Sequence, residues 1–188
     1  MQYLVSFALL VAFVAWMAGV YHQLEHLRAS VCQYWGQWCR ATHHRNECLA
    51  DFAETFALFL PQEDPLPSYL RRLAADSDRS LALVRTPRWG AVHGFMGSAE
   101  QVLRNAVAQS VQVVEDSPEM RGHEPLQRLC SSVSVSLYQQ DQLASLFNSA
   151  AVEYNAALAA PAARLLAPLF GFEAADPLDM NKKEHPQR

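Results

Sequence analysis

Apolar residues recur every three or four positions along most of the chain, which is the spacing of a helix that buries one face. The longest series comprises Leu126, Cys130, Val133, Leu137, Gln140, Ala144, Phe147, Ala151, Tyr154 and Leu158. A second series comprises Val31, Trp35, Trp38, Thr42, Arg45, Leu49, Phe52, Phe56 and Phe59, with a polar break in its middle. The stretch VSVSL, residues 133–137, alternates like a strand. Because the helical period covers a much longer segment, a helix is predicted there as well.

Prolines and turn residues divide the chain into four predicted helices. The first meets no proline until PQEDPLP, residues 61–67, which ends it. A second helix is predicted to begin near Ser68, a favourable N-cap residue, and to end at Thr86. A third is predicted over residues 88–115 and is followed by the turn-rich link DSPEMRGHEP. The fourth is predicted to close at Pro161.

The first predicted helix begins with a long apolar run. Residues 3–21, YLVSFALLVAFVAWMAGVY, carry no charge and span roughly 28 Å as a helix, which matches the hydrocarbon core of a bilayer. Tyr3, Trp16 and Tyr21 lie toward its ends, where aromatic rings favour the membrane interface. A cleaved signal peptide is the competing interpretation. The run is long for one, no basic residue precedes it and no small-x-small cleavage site follows it, so an uncleaved anchor is predicted.

Flanking charge predicts the orientation of this anchor. No Lys or Arg precedes the run, whereas Arg28, Arg40 and Arg45 follow it, and cytoplasmic flanks are the ones that collect basic residues. We therefore expect a single-pass protein of the inner membrane with its N-terminus outside and the rest of the chain in the cytoplasm. The four cysteines show no paired spacing, which agrees with a reducing compartment.

The predicted fold class is all-α, because four amphipathic helices without strands bury their apolar faces most economically against one another. We expect an N-terminal transmembrane helix that continues into an up-and-down antiparallel four-helix bundle. The domains are a transmembrane anchor at residues 1–21, a helical bundle at residues 22–172 and a disordered tail at residues 173–188. The net charge of −4 argues against a nucleic-acid partner.

The stretch FNSAAVEYN places an aromatic residue and an asparagine together twice, at Phe147-Asn148 and at Tyr154-Asn155. The aromatic residues fall on the apolar face of the fourth helix, so the two asparagines lie beside that face, two helical turns apart. Asparagine does not favour a helix interior, but its amide can bond to another helix or to a backbone group. The ordinary interpretation is that the amides fix the register of neighbouring helices, and the functional one is an edge for a partner.

Three segments resemble the LemA family. The segment FNSAAVEYNAALAAPAARLLAPLFGF, residues 147–172, is similar to the closing signature of that family, with two aromatic-Asn pairs seven residues apart, a proline and a Gly-Phe ending. The segments YHQLEHLRASVCQYWGQ and HRNECLADFAET resemble the stretch that follows the membrane helix in the family. The matching positions are Trp35, Gln37, Arg45, Glu47, Glu54 and Thr55.

The resemblance spans most of the chain from Met1 to Phe172 and implies a membrane-anchored four-helix bundle. It implies no catalytic residues, because the family is known mainly as membrane proteins of unsettled function. Five positions depart from the family pattern: Gly36 in place of Ser, Cys39 in place of Asp, His43 and His44 in place of basic residues, and Ala50 in place of Pro. The resemblance therefore implies no role that depends on the Asp or on the full basic cluster.

Cys39, His43, His44 and Cys48 are the candidate metal ligands. The spacings from Cys39 to His43 and from His44 to Cys48 each place two ligands on one helical face. The two pairs face different directions, however, so a single tetrahedral site needs ligands from another helix, such as Cys130 or His123. Solvated histidines and buried cysteines are the ordinary outcome, so no metal or other cofactor is predicted.

The sequence favours a non-enzymatic scaffold or adaptor for other proteins at the membrane. Its partners are expected to be the lipid bilayer, through residues 3–21, and an unidentified protein, with a homo-oligomer left open. The predicted partner edge comprises Trp35, Trp38, Phe147, Asn148, Tyr154 and Asn155. The alternatives are a metal or redox protein that uses the Cys/His cluster, and a membrane-shaping protein in which PAARLLAPLFGF lies in the interface. The last requires the fourth helix to run toward the membrane.

Overall fold

The computed structural model describes residues 2–83 and 92–178, and it contains helices and no strand within those residues. The helices are α1 (Gln2–Phe56), α2 (Leu66–Leu83), α3 (Val92–Asp116), α4 (Pro118–Arg121), α5 (Glu124–Ala159) and α6 (Pro161–Phe170). A single 3-10 turn, Ala57–Phe59, extends α1. The prediction of an all-helical chain is confirmed for the described residues, including the VSVSL stretch, which lies inside α5.

α1 is a single helix of 55 residues and is therefore about 82 Å long. It ends where the sequence predicts, because Leu60 adopts an extended conformation before Pro61. The start of α2 differs from the prediction. The helix begins at Leu66, and the carboxylate of Asp64, rather than the side chain of Ser68, accepts a hydrogen bond from the Leu66 backbone N–H at 2.9 Å. The predicted end of this helix at Thr86 lies outside the described residues.

Two of the smaller elements lie where the sequence showed turn residues and a short apolar segment. α4 occupies the predicted link, and α5 starts after His123, whose Nδ1 accepts a hydrogen bond from the Leu126 N–H at 3.3 Å. His123 therefore acts as the N-cap residue of α5. α6 covers most of PAARLLAPLFGF and ends at Gly171, which adopts the left-handed conformation with φ 67°.

α1 and α5 pack antiparallel along much of their length. Trp35 contacts Phe147, and further along α1 the Cys48 thiol lies near Ser136, so residue numbers fall on α5 as they rise on α1. The buried cluster nearer the N-terminal third of α1 contains Leu24, Val31, Trp35 and Trp38 from α1 with Ala144, Phe147, Ala150, Ala151 and Tyr154 from α5. The C-terminal end of α5 therefore lies beside the part of α1 around Leu24.

A second buried cluster lies at the far end of α1, and four long helices and α4 contribute to it. Its larger members are Leu49, Phe52 and Phe56 from α1, Leu70 from α2, Leu103, Val107 and Val114 from α3, Met120 from α4, and Leu126 and Val133 from α5. Phe52 and Phe56 stack with their ring centroids 5.2 Å apart. The apolar series read from the sequence thus forms the core of this end.

The N-terminal part of α1 lies outside the packed clusters. Its large apolar side chains are exposed, from Tyr3 at 92% to Trp16 at 48%. This part of the helix is long and apolar enough to cross a membrane, and none of its most apolar window is buried. Val20 and Tyr21 are partly buried against the neighbouring cluster, and Leu24 is the first fully buried residue of the helix among those described.

Candidate functional site

The four aromatic residues of the predicted partner edge lie in the core. Trp35 and Trp38 stack with ring centroids 5.2 Å apart, and Trp35 also lies 5.5 Å from Phe147. Phe147 and Tyr154 are fully buried. These side chains therefore present no surface to another protein, which corrects that part of the prediction. They lie on the apolar faces of α1 and α5, and these two faces pack against each other.

The other two residues of the predicted edge, Asn148 and Asn155, lie beside the core. The side chain of each forms hydrogen bonds with the backbone of one residue of the segment that follows α6. The Asn155 amide donates to the Ala175 carbonyl oxygen at 2.6 Å and accepts from the Ala175 N–H at 2.8 Å. The Asn148 amide donates to the Leu178 carbonyl oxygen at 3.0 Å and accepts from the Leu178 N–H at 2.7 Å. Both polar backbone groups of each residue are thus satisfied by one side chain.

We call residues 172–178 the strap, because this non-helical segment lies along α5 and α1. Phe172, Ala175 and Leu178 are buried, whereas the four residues between them are exposed. Residues 173–178, which the sequence assigned to a disordered tail, are therefore held in place, and the rest of that predicted tail lies outside the described residues. Sequence reasoning missed this order because residues 173–188 taken together are mostly polar and charged, and because the strap is held by hydrogen bonds to its backbone, which any sequence can offer.

The strap begins at a tight reversal that follows α6. The Phe172 N–H donates to the Ala167 carbonyl oxygen at 3.0 Å, which closes the end of α6 around Gly171. The Phe172 ring lies 5.7 Å from the Tyr21 ring, and the Arg28 guanidinium lies 5.8 Å from its centre. The start of the strap is therefore attached to the part of α1 that directly follows the apolar run.

A buried polar layer separates the two apolar clusters. Arg45 is fully buried, pairs with Glu100 of α3 and donates to Gln140 Oε1 of α5 at 3.0 Å. It also donates to the Ser77 hydroxyl of α2 at 3.2 Å, so one side chain links four helices. Gln140 Nε2 donates to the Thr42 hydroxyl at 2.9 Å. The sequence showed Thr42 and Arg45 as a polar break but gave no signal that Glu100 is the partner.

The charges of this layer compensate one another. Arg104 donates to Asp141 at 2.7 Å and 3.1 Å, while Glu100 lies between Arg45 and Arg104. Burial first, and the nearby positive charge of Arg104 second, lower the pKa of Arg45 to about 9, so Arg45 remains charged at neutral pH. The layer fixes the relative positions of the helices, since each buried charge needs its partner from another element.

The Cys/His cluster is divided between two sides of α1, as the helical period requires. Cys48 Sγ lies 3.8 Å from His44 Nε2, and His43 Nδ1 lies 3.0 Å from Asp78 Oδ1 on α2. Burial raises the pKa of the Cys39 thiol to about 11, so the reactive thiolate is scarce at neutral pH. Among the residues that the structure describes, no group of three or more His, Cys, Asp and Glu side chains is arranged to hold a metal ion.

No protein-family model, no curated protein and no solved structure matches this chain.

Proposed function

We propose that the chain is a single-pass membrane protein, similar to the LemA family, whose up-and-down four-helix bundle acts as a non-enzymatic scaffold or adaptor beside the bilayer. One observation carries the proposal. The apolar side chains of residues 3–16 are exposed around a helix that continues without a break into the packed part of the chain. Soluble surfaces rarely expose so continuous an apolar area, and lipid is the medium that covers it best.

The energy of insertion supports an anchor. Residues 3–21 contain nine Leu, Val and Phe residues, each of which favours insertion at the centre of a membrane helix by about 0.3–0.6 kcal/mol. Together these residues favour insertion by about 3–5 kcal/mol, and no charged residue in the run opposes it. The core helix of a soluble protein has the same composition but is buried by its neighbours, whereas the most apolar window of α1 is uncovered.

Membrane fractionation of the full chain tests the anchor. We expect the chain to stay with the membrane after alkaline carbonate extraction and to keep its N-terminal residues, as read by mass spectrometry. Leu9→Arg with Val11→Arg should move it into the soluble fraction, because each buried charge costs about 2.5–3.5 kcal/mol. Gln23→Arg is the matched control and should have no effect. Release of the wild-type chain by carbonate, or loss of the apolar run from the mature protein, contradicts the anchor.

The orientation is proposed from the basic residues that follow the apolar run. Arg28 and Arg40 are exposed, whereas Arg45 is buried in the polar layer. The exposed thiol of Cys32 provides a direct test. A membrane-impermeant maleimide should label Cys32 only after the inner membrane is opened, and the Cys32→Ser variant identifies that signal. Labelling of Cys32 before the membrane is opened reverses the proposed orientation.

The adaptor role is supported by the outer face of α5. Val135, Tyr138, Leu146 and Val152 are all exposed and lie on the side of the helix that faces away from the core. Exposed apolar side chains grouped on one face are typical of protein contacts. Photo-crosslinking from Tyr138 in intact membranes should capture a defined protein, and crosslinking from Arg72 on α2 serves as the comparison. Equal capture from both positions contradicts a specific docking face.

A second candidate function is contact between α6 and the membrane surface, as the membrane-shaping interpretation requires. α6 packs against the end of the apolar run, with Phe170 and Tyr21 ring centroids 4.9 Å apart. Leu165 and Leu169 are exposed on one side of α6, and such leucines favour the interface of a bilayer.

Spin labelling of the chain in nanodiscs tests this second candidate. A nitroxide at Leu169 should collide more often with oxygen, which concentrates in lipid, than with a water-soluble nickel chelate. A nitroxide at Tyr138 is the control and should show the opposite preference. Equal accessibility at the two positions contradicts lipid contact by α6.

A further inference from the structure

The contacts between α5 and the strap recognise a backbone rather than a particular sequence. Asn148 and Asn155 contribute one donor and one acceptor each, and both are matched by the N–H and carbonyl of a single residue. A side-chain amide of this kind reproduces what the edge of a β-sheet offers to an added strand. In such recognition, main-chain hydrogen bonds supply affinity and the pockets between them supply specificity.

The spacing of the two asparagines matches an extended chain. Seven residues separate Asn148 and Asn155, which corresponds to about 10.5 Å along a helix. Three residues separate Ala175 and Leu178, which corresponds to about 9–10 Å in an extended or polyproline II conformation. The two asparagines, which lie two helical turns apart on α5, therefore align with two residues that are three positions apart in an extended segment.

The strap lies in a groove between α1 and α5, where its buried side chains join residues of both helices in one cluster, and these side chains show what the groove accepts. Phe172, Ala175 and Leu178 point into it at intervals of three residues, and their relative exposures are 8%, 1% and 4%. Pro177 is compatible with this arrangement, because the two asparagines bond to the backbone of residues 175 and 178, so the N–H that proline lacks is needed for none of these bonds. Its fixed φ also suits an extended chain. The preferred pattern is aromatic-x-x-small-x-x-Leu.

We propose that this groove is a binding site for an extended peptide segment of another protein with the pattern aromatic-x-x-small-x-x-Leu, and that the strap occupies it as an internal competitor. The proposal deepens the adaptor function, on which it rests, by naming the chemistry of the partner. Because the strap is connected through Gly171, it competes at a high effective concentration. A partner peptide binds only when it displaces the strap, which makes the site self-regulated.

Fluorescence anisotropy with a labelled peptide tests the competition. The probe is the capped peptide FEAADPL, which has the sequence of residues 172–178, and the protein is the full chain in detergent. In the strap variant, Ala175→Glu with Leu178→Asp, the strap can no longer bury its side chains. We expect this variant to bind the probe at least about tenfold more tightly than the wild type does.

Two controls identify the site. Adding Asn148→Ala and Asn155→Ala to the strap variant should weaken binding of the probe at least about tenfold, since the backbone then loses its partners. A peptide with Glu in place of its fourth residue, which corresponds to Ala175, and Asp in place of its Leu should not bind. Circular dichroism must show native helix content in each variant, and Leu178→Asp alone is the milder replacement where the double strap variant fails to fold.

Three outcomes overturn the proposal. They are a folded strap variant that binds the probe no better than the wild type, binding that is indifferent to the two asparagines, and a wild-type dimer in which the strap exchanges between copies. Light scattering coupled to size exclusion detects the dimer, whose occupant is a second copy of this chain. The peptide assay needs no bilayer, so its failure is distinct from a failure of membrane anchoring, which carbonate extraction reports.

Discussion

Arg45 shows how one residue can fix the relation of four helices. Its side chain is fully buried, yet it is matched by polar groups of Glu100, Gln140, Ser77 and Asn46. The sequence revealed that a polar residue interrupts the apolar series at this position. It could not reveal the partners, because Glu100 lies 55 residues away and glutamates on helices usually face solvent.

Removing Arg45 alone should be costly, because Glu100 is then left buried without its cation. We expect Arg45→Met to destabilise the chain by about 3–5 kcal/mol in urea unfolding followed by circular dichroism. Arg45→Met combined with Glu100→Leu should recover most of that loss, since an apolar pair replaces the buried charges. Two losses that simply add in the double variant contradict the proposed pairing.

His43 gives a pH-dependent contact between α1 and α2. Its hydrogen bond to Asp78, and then the negative charge of Asp78, raise the pKa of His43 above 6.5, and Glu47 adds to the effect. The contact therefore stabilises the fold fully below pH 6.5 and is lost as the pH rises through the higher folded-state pKa. Asp78→Asn should lower the pKa of His43 as measured by NMR titration, whereas Asp76→Asn should leave it unchanged.

At the level of elements, the helices follow from the sequence while the strap does not. Every predicted helix is present within the described residues, because each is specified by a local period of three and four and by proline boundaries. The strap is specified by Asn148 and Asn155, which lie 20 to 30 residues before the backbone groups they bind. The asparagines were visible as unusual helix residues, but an amide gives no indication of which backbone it holds.

Gly171 is the residue at which the chain changes from α6 to the strap. Its φ of 67° strains any residue with a Cβ, although nothing lies within 4 Å of the position that a Cβ would take. Gly171→Ala should therefore destabilise the chain by about 1–2 kcal/mol through backbone strain alone. Gly36→Ala, in the middle of α1, should instead stabilise it by up to about 1 kcal/mol. Urea unfolding of the two variants should give shifts of opposite sign.

At the scale of the whole molecule, the continuity of α1 sets where each part lies relative to the proposed membrane anchor. The helix continues from the end of the apolar run at Tyr21 to Phe56, a distance of about 52 Å. α5 returns along it, so α6 and the start of the strap come back to Tyr21. A membrane anchor at residues 3–21 therefore places α6 and the strap beside the lipid and the Phe52–Phe56 end far from it.

Energy transfer from the protein to acceptor-labelled lipid can measure this arrangement. A fluorophore at Leu165 on α6 should transfer strongly, whereas one at Leu58, which is 81% exposed at the far end of α1, should transfer weakly. The difference should persist at high salt, because it depends on the rigid length of α1 and not on surface charge. Equal transfer from the two positions means that the bundle lies flat on the membrane or that α1 bends beyond its contacts with α6 and the strap. In either case the Phe52–Phe56 end is not held away from the lipid, although the start of the strap stays beside Tyr21 through the Phe172 ring.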